Sequence, residues 1–384
     1  MGSKQAPERP PVAAGAAALI VAARGVAALG VVAVIVTALA ASAPAQAQNR
    51  ENDVAGGWSG GVLTLQIEND YFGGPFNKDR HYSTGLRANW MSPKSIDLID
   101  QVRGFTDLPE RLLSFLDARP AGSIKRRYGY SLGQSIFTPE DKQTRALIPN
   151  DRPYAGWLYA GFTLQTLYYD TNHKPPDAIR QDTWQLDIGV VGPAALGRQV
   201  QNSFHKLIGA DQSNGWGNQL HNEPGLNLTF ERKWRIGRVT LLDEPKLRFD
   251  AVPMLGFSLG NVNTYAAAGG IVRIGQDLGN DFGPPRIRPS LPGSESFDLE
   301  DSFGWYLFLG VEGQAVARNI TLDGNTFRNS HSVDKNPFVA DFMGGAAIFI
   351  NRTRLAYTHV LRTKEFNGQK GWDQFGAITL SVGF

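Results

Sequence analysis

From Arg50 onward, apolar and polar residues alternate again and again with a period of two. Leu63, Leu65 and Ile67 alternate with Thr64, Gln66 and Glu68. Tyr82, Thr84, Leu86, Ala88 and Trp90 alternate with Ser83, Gly85, Arg87 and Asn89. The same pattern runs through Trp184–Val190, Leu226–Phe230, Leu247–Ala251 and the final stretch, Ile378 to Phe384. Successive strand side chains point to opposite faces, so each run predicts a strand with one apolar and one polar face. About twelve strands are predicted, near 61–69, 82–92, 126–137, 155–169, 182–191, 225–236, 245–258, 262–275, 303–317, 339–350, 353–362 and 373–384. One segment breaks the pattern. In GPAALGRQVQNSFHKLIGAD (192–211), Leu196, Val200, Phe204, Leu207 and Ile208 recur at helical spacing. Pro193 suits a helix start and Gly209 a helix stop. This helix carries Gln201, Asn202 and His205.

Two-faced strands fit a soluble sandwich, whose apolar face is the core, or a membrane barrel, whose apolar face meets lipid. Three features favour the barrel. The polar face carries charges, Glu68, Arg87, Asp187, Glu231 and Arg248, that require water or partners. Tyr82, Trp90, Trp184, Trp234 and Trp305 lie near strand ends, where an interfacial girdle belongs. The chain also ends on a strand with a terminal aromatic, Phe384. Outer-membrane proteins commonly end so, which implies handling by the barrel-assembly machinery. A closed barrel is the β architecture that satisfies every backbone group in lipid. The expected fold is therefore an all-β, transmembrane antiparallel barrel. The long Pro/Gly-rich loops at 93–125, 138–154 and 276–302 are expected together on the outside, opposite short turns such as Asn351-Arg352.

The N-terminus is a different material. Residues 26–42 are apolar and uncharged, Lys4, Arg9 and Arg24 precede them, and SAPAQAQ follows with small residues at alternate positions. This reads as a secretory signal over 1–47, with the barrel domain at 48–384. The other reading is an uncleaved anchor, since the run is near the lower limit for a span. The chain has 384 residues, no cysteine and a net charge of +2. Absent cysteine excludes disulfides, thiolate catalysis and Cys-ligated metals. The near-neutral balance gives no reason to expect nucleic acid as a partner.

Candidate chemistry gathers at a few polar clusters. His205 is a candidate general base, because imidazole is the usual proton acceptor. In ENDYF, Asp70 is expected to share the lumen face with Glu68, and Asn69 to point the other way unless the strand bulges or ends there. A carboxylate beside an amide oxygen also suits a hard cation such as Ca2+. Ser83 falls on the polar, lumen face of its strand. It lacks a G-x-S-x-G elbow, so orienting a water or a substrate group fits better than nucleophilic attack. In NDRPYAGWLY, Asp151 and Arg152 form an ion pair that pins the loop, or else Arg152 or Lys142 holds an anionic head group.

The order of the blocks ENDYF, DRHYSTGL, GQSIFTPED, DRPYAGWLY, GVVGPAALGRQVQNSFHKLIG, GWGNQL and NITLDGNTF closely resembles the lipid A 3′-O-deacylase family of Gram-negative outer membranes. The resemblance runs from about residue 58 to the end and is densest between 67 and 223. It implies a twelve-stranded barrel in the outer membrane. It also implies Ca2+-dependent hydrolysis of an ester-linked acyl chain of lipid A, the lipid anchor of lipopolysaccharide. On that resemblance the base is His205, and the Asn-Asp pair falls on Asn69 and Asp70, which double as metal ligands. The hydroxyl, usually Thr, falls on Ser83. Lys142, Arg152 and Asp211 are expected at the substrate. The alternative is a non-catalytic barrel, either a narrow channel or a lipid-binding scaffold.

Overall fold

The computed structural model describes residues 61–73, 80–93, 111, 113–116, 122–172, 177–244, 246–276, 278, 281–287 and 303–384. The expected signal segment lies outside them. The described strands are β1 (Val62–Asn69), β2 (His81–Met91), β3 (Ser123–Thr138), β4 (Ala155–Asp170), β5 (Asp177–Val191), β6 (Glu223–Trp234), β7 (Ile236–Leu242), β8 (Leu247–Gly260), β9 (Asn263–Gly275), β10 (Phe303–Asn319), β11 (Phe338–Ile350), β12 (Thr353–Arg362) and β13 (Asp373–Gly383). Neighbours in sequence pair antiparallel except β6 and β7, β1 pairs with β13, and β6 pairs with β8 to close the ring. β7 is not an extra wall. It continues β6 after one residue, Arg235, and runs on down the same partner, from Ile236↔Ala251 to Leu242↔Leu247. The barrel is therefore a closed wall of twelve strands, as the alternation predicts.

Its interior is polar and its exterior apolar. Thr64, Gln66 and Glu68 are buried in the lumen along with Arg87, Asn89, Asp187, Thr229 and Glu231. The intervening positions face outward, and Leu132, Ile188, Leu226, Leu309, Phe338 and Ile348 are exposed. A water-soluble protein would invert this arrangement; lipid requires it.

Two expectations about placement fail. Tyr82 does not belong to an interfacial girdle: its ring is buried inside, against Phe137 and Phe375, and its hydroxyl donates to Glu68 Oε2 at 3.0 Å. Trp90 does face out, stacked on Tyr130. The long loops also do not share an end. Connections in an antiparallel barrel alternate between rims, so those after β2 and β3 must be opposite. The 139–154 connection joins the rim that holds the end of β1, whereas the β2–β3 and β9–β10 connections leave from the rim of the Asn351-Arg352 turn.

The start of the β9–β10 connection folds into the barrel. Asp281, Phe282, Arg286 and Ile287 are all buried. Asp281 accepts from Tyr306 at 2.9 Å, from Arg354 at 3.1 Å and from Arg273. Arg286 reaches Asp341 at 3.2 Å, and Arg362 grips the same carboxylate in two-pronged fashion, each bond 2.8 Å. Buried charges persist only when paired and hydrogen-bonded, as these are.

Candidate active site

The residues singled out in the sequence come from connections at one rim, and the wall turns Asn69 and Ser83 to its outer side. β1 ends at Asn69, and a 3-10 turn, Asp70–Gly73, follows at once. β2 enters beside it with a bulge: Tyr82 pairs with Phe137 and Thr84 with Ile136, so Ser83 is the extra residue. A bulge re-aims side chains. Tyr82 stays inward, while Ser83 joins Thr84 on the outward face. There Ser83 Oγ shares a 2.6 Å hydrogen bond with Thr138 Oγ1 of β3. Ser83 is thus corrected from the lumen to the outer wall. Asn69 points outward because the strand parity places it there. Its Nδ2 donates to the Ser83 carbonyl at 2.7 Å and to Thr84 Oγ1 at 3.0 Å. Its Oδ1 and Asp70 Oδ1 both accept from the Tyr71 N–H, at 2.7 and 2.8 Å. Asp70 begins the turn and does not continue the lumen face of β1.

The predicted helix, α1 (Gly197–Ile208), lies over the outer wall beside these groups. A 3-10 turn, Pro193–Ala195, leads into it, and Gly209 ends it with φ +70° and its N–H on the His205 carbonyl. Gln134 of β3 donates to the Ala195 carbonyl at 2.6 Å. Val200 packs on Ile136, Tyr154 and Trp216. Two glycines allow the close approach. A Cβ on Gly156 would sit 3.1 Å from Ala195, and one on Gly197 would sit 2.9 Å from the Trp216 ring.

His205 is buried on the face of α1 that also carries buried Gly197 and Gln201, and its Nδ1 lies 2.6 Å from the Asp211 carbonyl. A carbonyl only accepts, so Nδ1 carries the proton, and a neutral ring presents its lone pair at Nε2. Asp211 thus contributes its backbone, while its side chain is exposed. Gln201 sits one helical turn before His205, on the same face. It is fully buried, and neither of its amide atoms has a protein partner. Ser213 Oγ and Trp216 Nε1, just beyond the helix, are also buried without one. Sequence spacing put Gln201 on the helix but gave it no role; its i,i+4 relation to His205 was the available signal.

The 139–154 loop adds Lys142, which is half-buried. The Lys142 carbonyl accepts from the Asn214 N–H at 2.8 Å, tying this loop to the segment after α1. Arg152 is different from expectation. It is fully buried, its Nη1 pairs with Glu365 at 2.9 Å, its Nη2 donates to Thr321 at 2.6 Å, and it lies over the Phe137 ring. Its guanidinium does not pair with Asp151; it ties together the loops that carry Arg152, Thr321 and Glu365. Asp151 instead faces His81 Nε2 at 3.5 Å, while His81 Nδ1 bonds Asp373 at 2.7 Å. Burial pushes the Asp151 carboxyl up, but hydrogen bonds from His81 and from the Glu140 and Arg152 N–H groups outweigh it and hold the carboxyl below its usual range.

Among the described residues no three His, Cys, Asp or Glu gather as a metal cluster. Asn69, Asp70 and Ser83 offer only oxygen donors with a single carboxylate, the chemistry of a hard cation rather than of a thiolate or imidazole metal.

The model of the family "Outer membrane protein LpxR" matches residues 32–384. Among solved structures, LpxR from Salmonella typhimurium is 21% identical, covering 84% of this chain and 100% of its own, with a TM-score of 0.63. The β domain of the Bordetella autotransporter BrkA is 9% identical, with coverage of 85% and 100% and a TM-score of 0.40. No curated protein matches the chain.

Proposed function

The chain belongs to the LpxR family of outer membrane proteins, and on that premise we propose that it is a Ca2+-dependent esterase that removes the 3′-linked acyl chain of lipid A. The observation that carries this reading is the placement of His205. Its imidazole is oriented by the Asp211 carbonyl and buried on the same face of α1 as Gly197, which packs close to Gly156 of the wall strand β4. An acyl chain lying along exposed Tyr130 and Leu132 of β3 would reach such a site without leaving the membrane.

His205 Nε2 takes a proton from water, and the resulting hydroxide adds to the ester carbonyl carbon. The tetrahedral intermediate collapses by breaking the bond to the sugar oxygen. The imidazolium returns its proton to that oxygen, releasing a fatty acid and a free 3′ hydroxyl. Asn69, Asp70 and Ser83 would hold the cation. When bound it supplies positive charge where the carbonyl oxygen becomes negative. Gln201 offers unsatisfied amide atoms on the His205 face, suited to a water or a polar substrate group. Lys142 stands at the same rim for an anionic head group. Lipid A in the outer leaflet is then the substrate, and the Phe384-ended last strand is the feature for the assembly machinery.

The rival channel reading meets a lumen occupied by residues 281–287 and their arginine partners. The test is mass spectrometry of lipid A from cells expressing this chain, with and without Ca2+. Loss of one acyl group, abolished by His205→Ala and by chelation, is the expected result. Unchanged lipid A would refute the esterase.

A further inference from the structure

The residue preceding each half of the site points the opposite way, into the lumen. Glu68 precedes Asn69-Asp70, and Tyr82 precedes Ser83. These two meet: the Tyr82 hydroxyl donates to Glu68 Oε2 at 3.0 Å. The other oxygen, Oε1, accepts from the Ile287 N–H at 2.8 Å. Ile287 belongs to the inserted stretch 281–287, which is anchored at Asp281 by Arg273, Arg354 and Tyr306 and at Arg286 by Asp341. Gly85, directly opposite Glu68 in register, leaves the room this requires. A Cβ there would overlap the Tyr82 hydroxyl.

We propose that the lumen-inserted segment 281–287 braces the site wall from behind, and that Glu68 is the positioning residue through which it does so. The physical reason lies in the bulge. A bulge leaves one residue out of the ladder, so backbone pairing alone does not fix Ser83. A buried carboxyl that accepts from both flanking elements removes that freedom, because losing either donor leaves a buried oxygen unsatisfied. Nothing in this requires Glu68 to touch substrate. It faces the lumen, while Asn69, Ser83 and His205 act on the other side of the wall. This assignment rests on the esterase reading for its kinetic consequence, but its structural consequence stands alone. With the brace removed, the Tyr71 N–H, which bonds both Asn69 and Asp70, should lose protection.

The test compares Glu68→Ala, Glu68→Gln and Gly85→Ala with the natural chain, in lipid A-containing proteoliposomes. Heat-modifiable gel mobility counts the folded barrels. Glu68→Ala and Gly85→Ala should lower kcat per folded barrel about 10- to 100-fold with KM little changed, the size expected for a small misplacement of reacting groups. Glu68→Gln should recover most of the loss, because its oxygen still accepts from Ile287 and its NH2 can donate to the Tyr82 oxygen. Amide exchange at Tyr71 should quicken in the Ala variants alone. An unchanged kcat per folded barrel, or unchanged Tyr71 exchange, overturns the brace. Should Glu68→Ala fail to fold, Gly85→Ala decides, since it keeps the carboxylate. A natural chain that leaves lipid A intact sinks the esterase reading instead, and the Tyr71 exchange still decides the brace.

Discussion

His205 donates its Nδ1 proton to the carbonyl of Asp211, 2.6 Å away and six residues along the chain. The contact joins the last turn of α1 to the strand of loop that leaves it, and it fixes which ring nitrogen faces outward from that bond. It also separates two residues that sequence would treat alike.

His205→Ala should therefore lower the rate of lipid A deacylation by roughly 10²–10⁴-fold, the usual worth of a positioned base. Asp211→Ala should leave it within a few-fold, because the carbonyl remains. Mass spectrometry of lipid A from cells expressing each variant compares them directly. Equal losses would mean that the Asp211 side chain does the work.

Ser83→Ala removes one half of a buried hydroxyl pair and leaves Thr138 Oγ1 without it. An abandoned buried polar group costs about 1–3 kcal/mol. The variant should melt earlier in detergent and turn over more slowly, whereas Ser83→Thr should keep both properties. If Ser83→Ala matched the natural chain in both assays, the hydroxyl would have no part in the site.

Arg152→Ala should act on stability and not on substrate affinity. The guanidinium is fully buried against Glu365, and stripping one partner from a buried pair typically costs about 3–5 kcal/mol. The temperature at which the barrel loses its compact gel mobility should fall, with KM per folded barrel unchanged. A raised KM at unaltered melting would restore Arg152 to the substrate.

The rim should loosen in acid. The Asp151 carboxyl is held below its usual range, despite burial, by bonds from His81 and from two backbone N–H groups. Asp141, nearly fully exposed, is held low by the Thr144 hydroxyl and by the Thr144 and Gln143 N–H groups. A depressed folded-state value means that these groups favour the folded loop above the unfolded value of 3.8, and that this help is lost as the pH falls through the lower folded value. Pepsin cleavage between 139 and 154 should therefore rise as the pH drops below about 3.8. Asp151→Asn should flatten that rise. Cleavage independent of pH in the natural chain would contradict it.

Chelation is the last check. An oxygen-only set with one carboxylate binds weakly, so EDTA should abolish deacylation and excess Ca2+ restore it, while gel mobility stays unchanged. Full activity in EDTA would remove the cation from the mechanism.

Local pattern, by itself, determined a good deal. Period-two alternation marks the strands because side-chain direction depends only on the neighbouring residue, and it gave β12 at 353–362 to the residue. Gly209 ends α1 for an equally local reason, whereas Pro193 opens the 3-10 turn before the helix and α1 itself starts at Gly197. What the tertiary structure alone decided is everything that depends on a partner strand. Ser83 reads as lumen-facing until the register with β3 shows one residue too many. Arg152 reads as a ligand-binding arginine until Glu365, 213 positions away, is found against it. Residues 281–287 read as an external loop until the arginines of β9 and β12 draw Asp281 inward. Bulges, buried ion pairs and lumen insertions are agreements between distant segments, and alternation within one segment carries no record of them.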